Sequence, residues 1–188
     1  MKQLIPVINS NDHIYGNEKA LIELVEYGDY QCPYCGLAYP IVKNIQQELG
    51  ADLKFVFRNF PLSKVHPFAF AAAVATEAAA LQNKFWEMHD IIFENQERLN
   101  IENIIVFAEN IGLDLQQFKY NIQQKEQSVK VERDFESGLR SGVNRTPSFY
   151  INGNKYEGEW RESELLQYMQ GLLIAAPETA QYAMLNNQ

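Results

Sequence analysis

The sequence predicts an α/β fold interrupted by a long helical segment. Three features point to it. The first 60 residues read as strand, helix, strand. From about Pro67 to about Gly142 the apolar residues take up helical spacing. An Asn152-Gly153 pair then lies between two apolar and aromatic runs, a strong hairpin signal because both residues tolerate positive φ.

In chain order, residues 1–19 are polar, with turn signals at Asn9–Asp12 and Gly16-Asn17. "ALIELVEY" (20–27) is short, apolar and bounded by Gly28, the pattern of a buried strand. "GLAYPIVKNIQQELG" has helical spacing and ends at Gly50, a C-cap residue. Pro40 inside it should kink the helix, because its ring removes one backbone donor. In "DLKFVFRNFPL", Leu53, Phe55 and Phe57 alternate with Lys54, Val56 and Arg58, the period of a strand. Two strands around one helix form a βαβ unit, which implies a parallel pair with a right-handed crossover.

The helical segment holds about five helices. Its "KFWEMHDIIFEN" stretch puts Phe85, Met88 and Ile92 on one face. A strand over Ser148–Ile151, the Asn-Gly turn and a second strand follow. Phe149, Tyr150, Tyr156 and Trp160 read as core residues. "RESELLQYMQGLL" is a final amphipathic helix, and the chain from Ala175 reads as a loosely held tail. The expected division is one α/β domain in two parts, 1–66 and 143–174, an inserted all-helical subdomain over 67–142, and a tail over 175–188.

Composition narrows the function classes. A net charge of -8 argues against a nucleic-acid surface, which needs clustered Lys and Arg. No stretch approaches the ~18 consecutive apolar residues of a membrane-spanning helix. With Met1 as the natural start, no signal peptide precedes the fold and a cytoplasmic location is expected. With a leader removed, the location would be periplasmic or otherwise extracytoplasmic.

Both cysteines fall in "DYQCPYCGLAYP", two residues apart. A chain of 188 residues folds without staples, and a bridge closing so short a gap would barely constrain the unfolded chain. Cys32 stands at the strand-to-helix junction, with Pro33 at the first helical position, where a missing N–H does no harm. The free N–H groups of the first turn and the positive helix end then favour a Cys32 thiolate. Cys32 is expected to be the exposed nucleophile. Cys35 lies about one turn on, on the same face and deeper, placed to attack a mixed disulfide formed at Cys32. Such a pair needs no cofactor. Zinc is the competing reading, but it needs further ligands. No other cysteine exists and His13, His66 and His89 lack ligand spacing, so no metal is expected in the monomer.

Glu26 ends the strand leading to the motif. It reads either as a carboxyl buried beneath the cysteines that carries the Cys35 proton, or as a solvated strand-end residue. Arg58 is a candidate partner for it. Thr146-Pro147 opens the returning strand, and a cis bond there would present the Thr146 backbone to an extended substrate chain. An ordinary trans proline is the alternative. His66 reads as a turn or cap residue and His89 as structural.

With these residues in place, the sequence resembles the thioredoxin superfamily and, within it, the DsbA-like branch. The likeness runs from about residue 12 to residue 173. It rests on Glu26, "CPYC", Pro40, the helical insertion, "TPSFYING", and "FRNFPL" followed by "HPFAFAAAVATEAA" and "FWEMHDIIF". The resemblance implies a thioredoxin fold (βαβ…ββα) with an inserted helical subdomain, and exchange of disulfides with protein substrates. It implies Cys32 as nucleophile, Cys35 as resolving thiol and Glu26 as the proton-handling acid, with Pro33, Tyr34, Thr146 and Pro147 facing the substrate. The implied partners are protein thiols and disulfides, with glutathione or a thioredoxin-type protein as redox counterpart. Tyr34 departs from the His found between the cysteines of strong oxidants of the branch, and cannot stabilise a thiolate by charge. Pro-Tyr is also typical of glutaredoxins, which are about half as long and lack the helical block. Two other functions suit the same fold. One is a glutathione-linked transferase or isomerase, which usually carries serine for the first cysteine. The other is a non-catalytic binding module.

Overall fold

The computed structural model describes residues 2–161 and 163–185. Its sheet is built from β1 (Ile14–Gly16), β2 (Ile22–Gly28), β3 (Leu53–Asn59), β4 (Ser148–Ile151) and β5 (Asn154–Lys155), in the order β1-β3-β2-β4-β5. The expected parallel pair is β2 with β3, and the other neighbours are antiparallel. The hairpin turn is Asn152-Gly153, with φ of 46° and 78°. β1 was not anticipated: it is a three-residue edge strand without a periodic signal of its own.

α1 (Pro33–Leu49) makes the βαβ crossover and runs as one helix through exposed Pro40. Five α-helices fill the chain between β3 and β4: α2 (Ala69–Ala80), α3 (Phe85–Glu94), α4 (Ile101–Asn110), α5 (Leu115–Asn121) and α6 (Lys125–Ser141). α7 (Glu164–Leu185) continues past residue 174, where the tail was expected to begin, and residues 186–188 of that tail lie outside the described residues.

Both faces of the sheet are covered. Leu24, Phe55, Phe57, Phe149 and Ile151 pack on one side with Cys35, Ala38, Val42 and Ile45 of α1 and with the apolar faces of α2 and α3. Val25, Tyr27, Val56 and Tyr150 face the other side, against Leu4 and Val143. Tyr156 and Trp160 are partly buried against the first cluster.

This alternation corrects the suggested Arg58–Glu26 pair. Glu26 is in register with Phe57, whereas Arg58 is in register with Tyr27, so the two side chains leave the sheet on opposite faces. Arg58 instead forms a two-pronged pair with Asp12, with Nε–Oδ1 and Nη2–Oδ2 both 2.8 Å. It also donates to Tyr27 Oη and to the carbonyls of Pro6 and Val7. Beside it, Glu77 of α2 meets His13 and Asn59 at 2.8 Å, and Asp134 of α6 meets Lys130 at 2.8 Å and accepts from the Asn59 backbone N–H. These bonds fasten the N-terminal segment, α2 and α6 to the end of β3. Removing one member of a buried ion pair strands the other charge. Asp12→Ala should therefore lower unfolding free energy by about 3 kcal/mol, measured by denaturant titration. A change below about 1 kcal/mol would mean that the remaining carbonyls satisfy the guanidinium.

Candidate active site

The motif lies where β2 gives way to α1. Cys32 is the N-cap residue of α1 with extended backbone (φ -71°, ψ 122°), and Pro33 follows inside the first turn. Its N–H donates to Asp29 O at 3.1 Å, and its carbonyl accepts from Gly36 N at 3.1 Å. Opposite stands Thr146-Pro147, whose peptide bond is cis. The Cys32 Sγ lies 3.6 Å from the Thr146 carbonyl oxygen. That contact brings the start of β4 against the start of α1, although 114 residues separate them in sequence.

Cys32 is not the exposed nucleophile expected: it is 4% exposed, covered by the Thr146 loop and packed into the main apolar cluster. Exposure lies instead with Pro33 and with Tyr34, which is 54% exposed. Cys35 is fully buried, and its sulfur accepts from Asp29 N at 3.4 Å. Both thiols are free.

The two sulfurs titrate in opposite directions. The Cys32 thiol is lowered to about 5, chiefly by hydrogen bonding from the Cys35 thiol. Burial opposes this shift, while Thr146 and the backbone N–H groups of Cys35 and Tyr34 reinforce it. Among the described residues the buried Thr146 hydroxyl has no hydrogen-bond partner, which leaves it free to donate to a Cys32 thiolate. Cys35 is pushed well up, first by burial, then by its bond to Cys32 and by the negative charges of Glu26 and Cys32. Glu26 is 3% exposed on the Cys35 side of the sheet, and burial followed by the Cys32 charge raises it to about 8. Glu26 is thus buried rather than solvated.

Several polar side chains around the motif carried no local signal in the sequence. Asp29 is buried, and its carboxylate accepts from Gln31 N and Leu62 N and pairs with His66 Nδ1, all at 2.8 Å. It holds the motif loop to the segment after β3, and His66 serves that contact. Gln31 Oε1 accepts from Phe68 N at 2.7 Å, at the start of α2. Gln96, in a 3₁₀ turn (Gln96–Arg98) after α3, donates from Nε2 to the carbonyls of Tyr30 and Cys32, both at 2.9 Å. His89 is buried, bonded to Tyr30 Oη at 3.0 Å, and lowered by burial to about 3, which keeps it neutral. Among the described residues no group of three or more His, Cys, Asp or Glu side chains could hold a metal ion.

A protein-family model described as "Thioredoxin" matches residues 9–170. Among curated proteins, the Na(+)/H(+) antiporter NhaA 1 of Salinispora arenicola is 37% identical over 157 residues, 84% of this chain and 24% of the antiporter. The chain therefore spans about a quarter of the length of that relative. Among solved structures, oxidised BdbD from Bacillus subtilis superimposes with a TM-score of 0.76 at 24% identity, covering 87% of this chain and 93% of BdbD. The thiol-disulfide exchange protein alpha-DsbA2 from Wolbachia pipientis gives 0.77 at 20% identity, with 88% of each chain covered.

Proposed function

Because this chain belongs to the thioredoxin family, we propose that it is a dithiol–disulfide oxidoreductase acting on protein substrates, with Cys32 attacking and Cys35 resolving. One observation carries this reading: two thiols three residues apart at a helix N-terminus, the first held down to about 5 and the second held up by burial. The thiolate is the reacting form, so at neutral pH one sulfur is armed and the other held in reserve.

The steps follow from that asymmetry. The Cys32 thiolate attacks one sulfur of a substrate disulfide, the substrate S–S bond breaks, and the departing substrate thiolate takes up a proton. Cys35 then loses its proton and attacks the Cys32 sulfur, releasing the second substrate thiol and leaving a Cys32–Cys35 disulfide. The substrate gains two electrons and the pair loses two. Run backwards, the same steps oxidise a dithiol, and the direction depends on the pair's reduction potential against its surroundings. Glu26, on the Cys35 side of the sheet with its carboxyl near 8, is the proposed acceptor of the Cys35 proton. Exposed Pro33 and Tyr34, with the buried Thr146-Pro147 loop opposite, are the proposed substrate contacts.

Antiport does not transfer to this chain on this reading. The likeness covers about a quarter of the antiporter, and no described helix is long and apolar enough to cross a membrane. A transferase needs only one sulfur or hydroxyl, and leaves the buried Cys35 without a task.

Equilibration in glutathione buffers of graded poise, read by thiol trapping, tests the proposal. A Cys32–Cys35 disulfide should form reversibly, with a midpoint between about -270 and about -120 mV. A pair that stays dithiol at every poise would contradict it and favour a binding module.

A further inference from the structure

Resting on that thiol–disulfide reading, we propose that Gln96 is a positioning residue by which the helices between β3 and β4 keep Cys32 ionised. Gln96 lies 64 residues from Cys32 in sequence, yet its Nε2 donates to both Tyr30 O and Cys32 O at 2.9 Å. A side-chain amide carries two N–H bonds, and here the motif takes both. Gly36 makes the approach feasible. A Cβ at that position would collide with Gln96 Oε1 and stand 3.0 Å from Cδ and 3.2 Å from Nε2.

Two effects converge on the sulfur. Cys32 has no side-chain capping bond of its own, so its backbone is held by Asp29 O on the N–H side and by Gly36 N and Gln96 on the carbonyl side. The carbonyl oxygen of Cys32 also carries partial negative charge close to its own sulfur. The Gln96 amide hydrogen on that oxygen offsets the charge and so favours the thiolate. In the opposite sense, Gln31 Oε1 accepts from Phe68 N at the start of α2. The motif and the helices thus exchange bonds in both directions, which couples the seating of the helices to the ionisation of Cys32.

The test uses the full reduced chain and reads the Cys32 thiolate by its ultraviolet absorbance against pH. Gln96→Leu keeps the bulk and removes the donors. Gln96→Glu puts an acceptor where the carbonyls need a donor. The thiolate-to-thiol ratio at fixed pH should fall roughly three- to tenfold in the leucine variant and further in the glutamate variant. The glutathione equilibrium should shift toward the disulfide by the same factor, because the reduced form has lost thiolate stabilisation. Gly36→Ala keeps the amide but displaces it, in a residue change that by itself favours helix, and should shift the curve the same way. If the Gln96 variants do not fold, the Gly36→Ala curve decides. Variants that titrate like wild type, whether or not they are less stable, would overturn the proposal. A wild-type midpoint near ~8.5 would instead contradict the thiol–disulfide reading itself. A low wild-type midpoint that the variants leave unmoved would contradict only the role of Gln96.

Discussion

Cys32→Ser is expected to reduce disulfide exchange to the uncatalysed rate, while Cys35→Ser is expected to hold the substrate as a covalent adduct. The two outcomes differ because the proposed mechanism gives the two sulfurs different work. Serine in place of Cys32 offers no anion near neutral pH, and the Cys35 sulfur cannot take over. It is fully buried and its pKa is raised by burial and by neighbouring negative charge. With Cys32 present and Cys35 gone, attack still occurs, but nothing displaces the substrate from the mixed disulfide. A reduced variant mixed with an oxidised peptide and run without reductant distinguishes the cases. Cys35→Ser should give a band at the summed mass that added thiol removes, and Cys32→Ser should give none. Adducts of equal yield from both variants would contradict the division of labour.

Glu26→Gln should make the reduced protein more stable at neutral pH while slowing the resolving step. Burial holds this carboxyl at about 8, against an ordinary 4.5. Between those values the folded state binds more protons than the unfolded chain, so stability falls as pH rises from about 4.5 and levels off only above about 8. Glutamine titrates nowhere in that window. The gain from Glu26→Gln should therefore be near zero at the acid end and reach about 2–3 kcal/mol at pH 7. Denaturant titrations at both ends of the window measure it, and a gain independent of pH would mean that Glu26 titrates at its ordinary value. In the same variant the mixed disulfide should resolve about a hundredfold more slowly, the usual scale of a lost proton acceptor. A carboxyl that destabilises the fold while assisting the chemistry is what a functional group at this position should look like.

What could be read before the structure was local. The Cys32-Pro33 junction, the helix to Leu49, the parallel pair around it and the Asn152-Gly153 turn each declare themselves within a few residues. Glu26 left two readings open, buried or solvated, because its burial depends on Phe57 and Phe149 in the neighbouring strands. Contacts between distant segments were not legible. Arg58 turns to Asp12 because the strand period sends it to the face opposite Glu26. Cys32 is covered because a loop 114 residues away closes over it. Gln96 reaches the motif, and Asp29 reaches from it to Leu62, through single polar side chains, which leave no trace in hydrophobic periodicity. β1 is too short to show a period.

The central claim is that one sulfur of the pair is armed and the other held back, and alkylation of the reduced protein across pH, with each cysteine identified by mass, tests it most directly. Cys32 should be modified with a half-maximal rate near pH 5 and a plateau above it, while Cys35 stays unmodified until the protein unfolds. Equal labelling of both cysteines, with rates still rising through the ordinary thiol range near ~8.5, would contradict it.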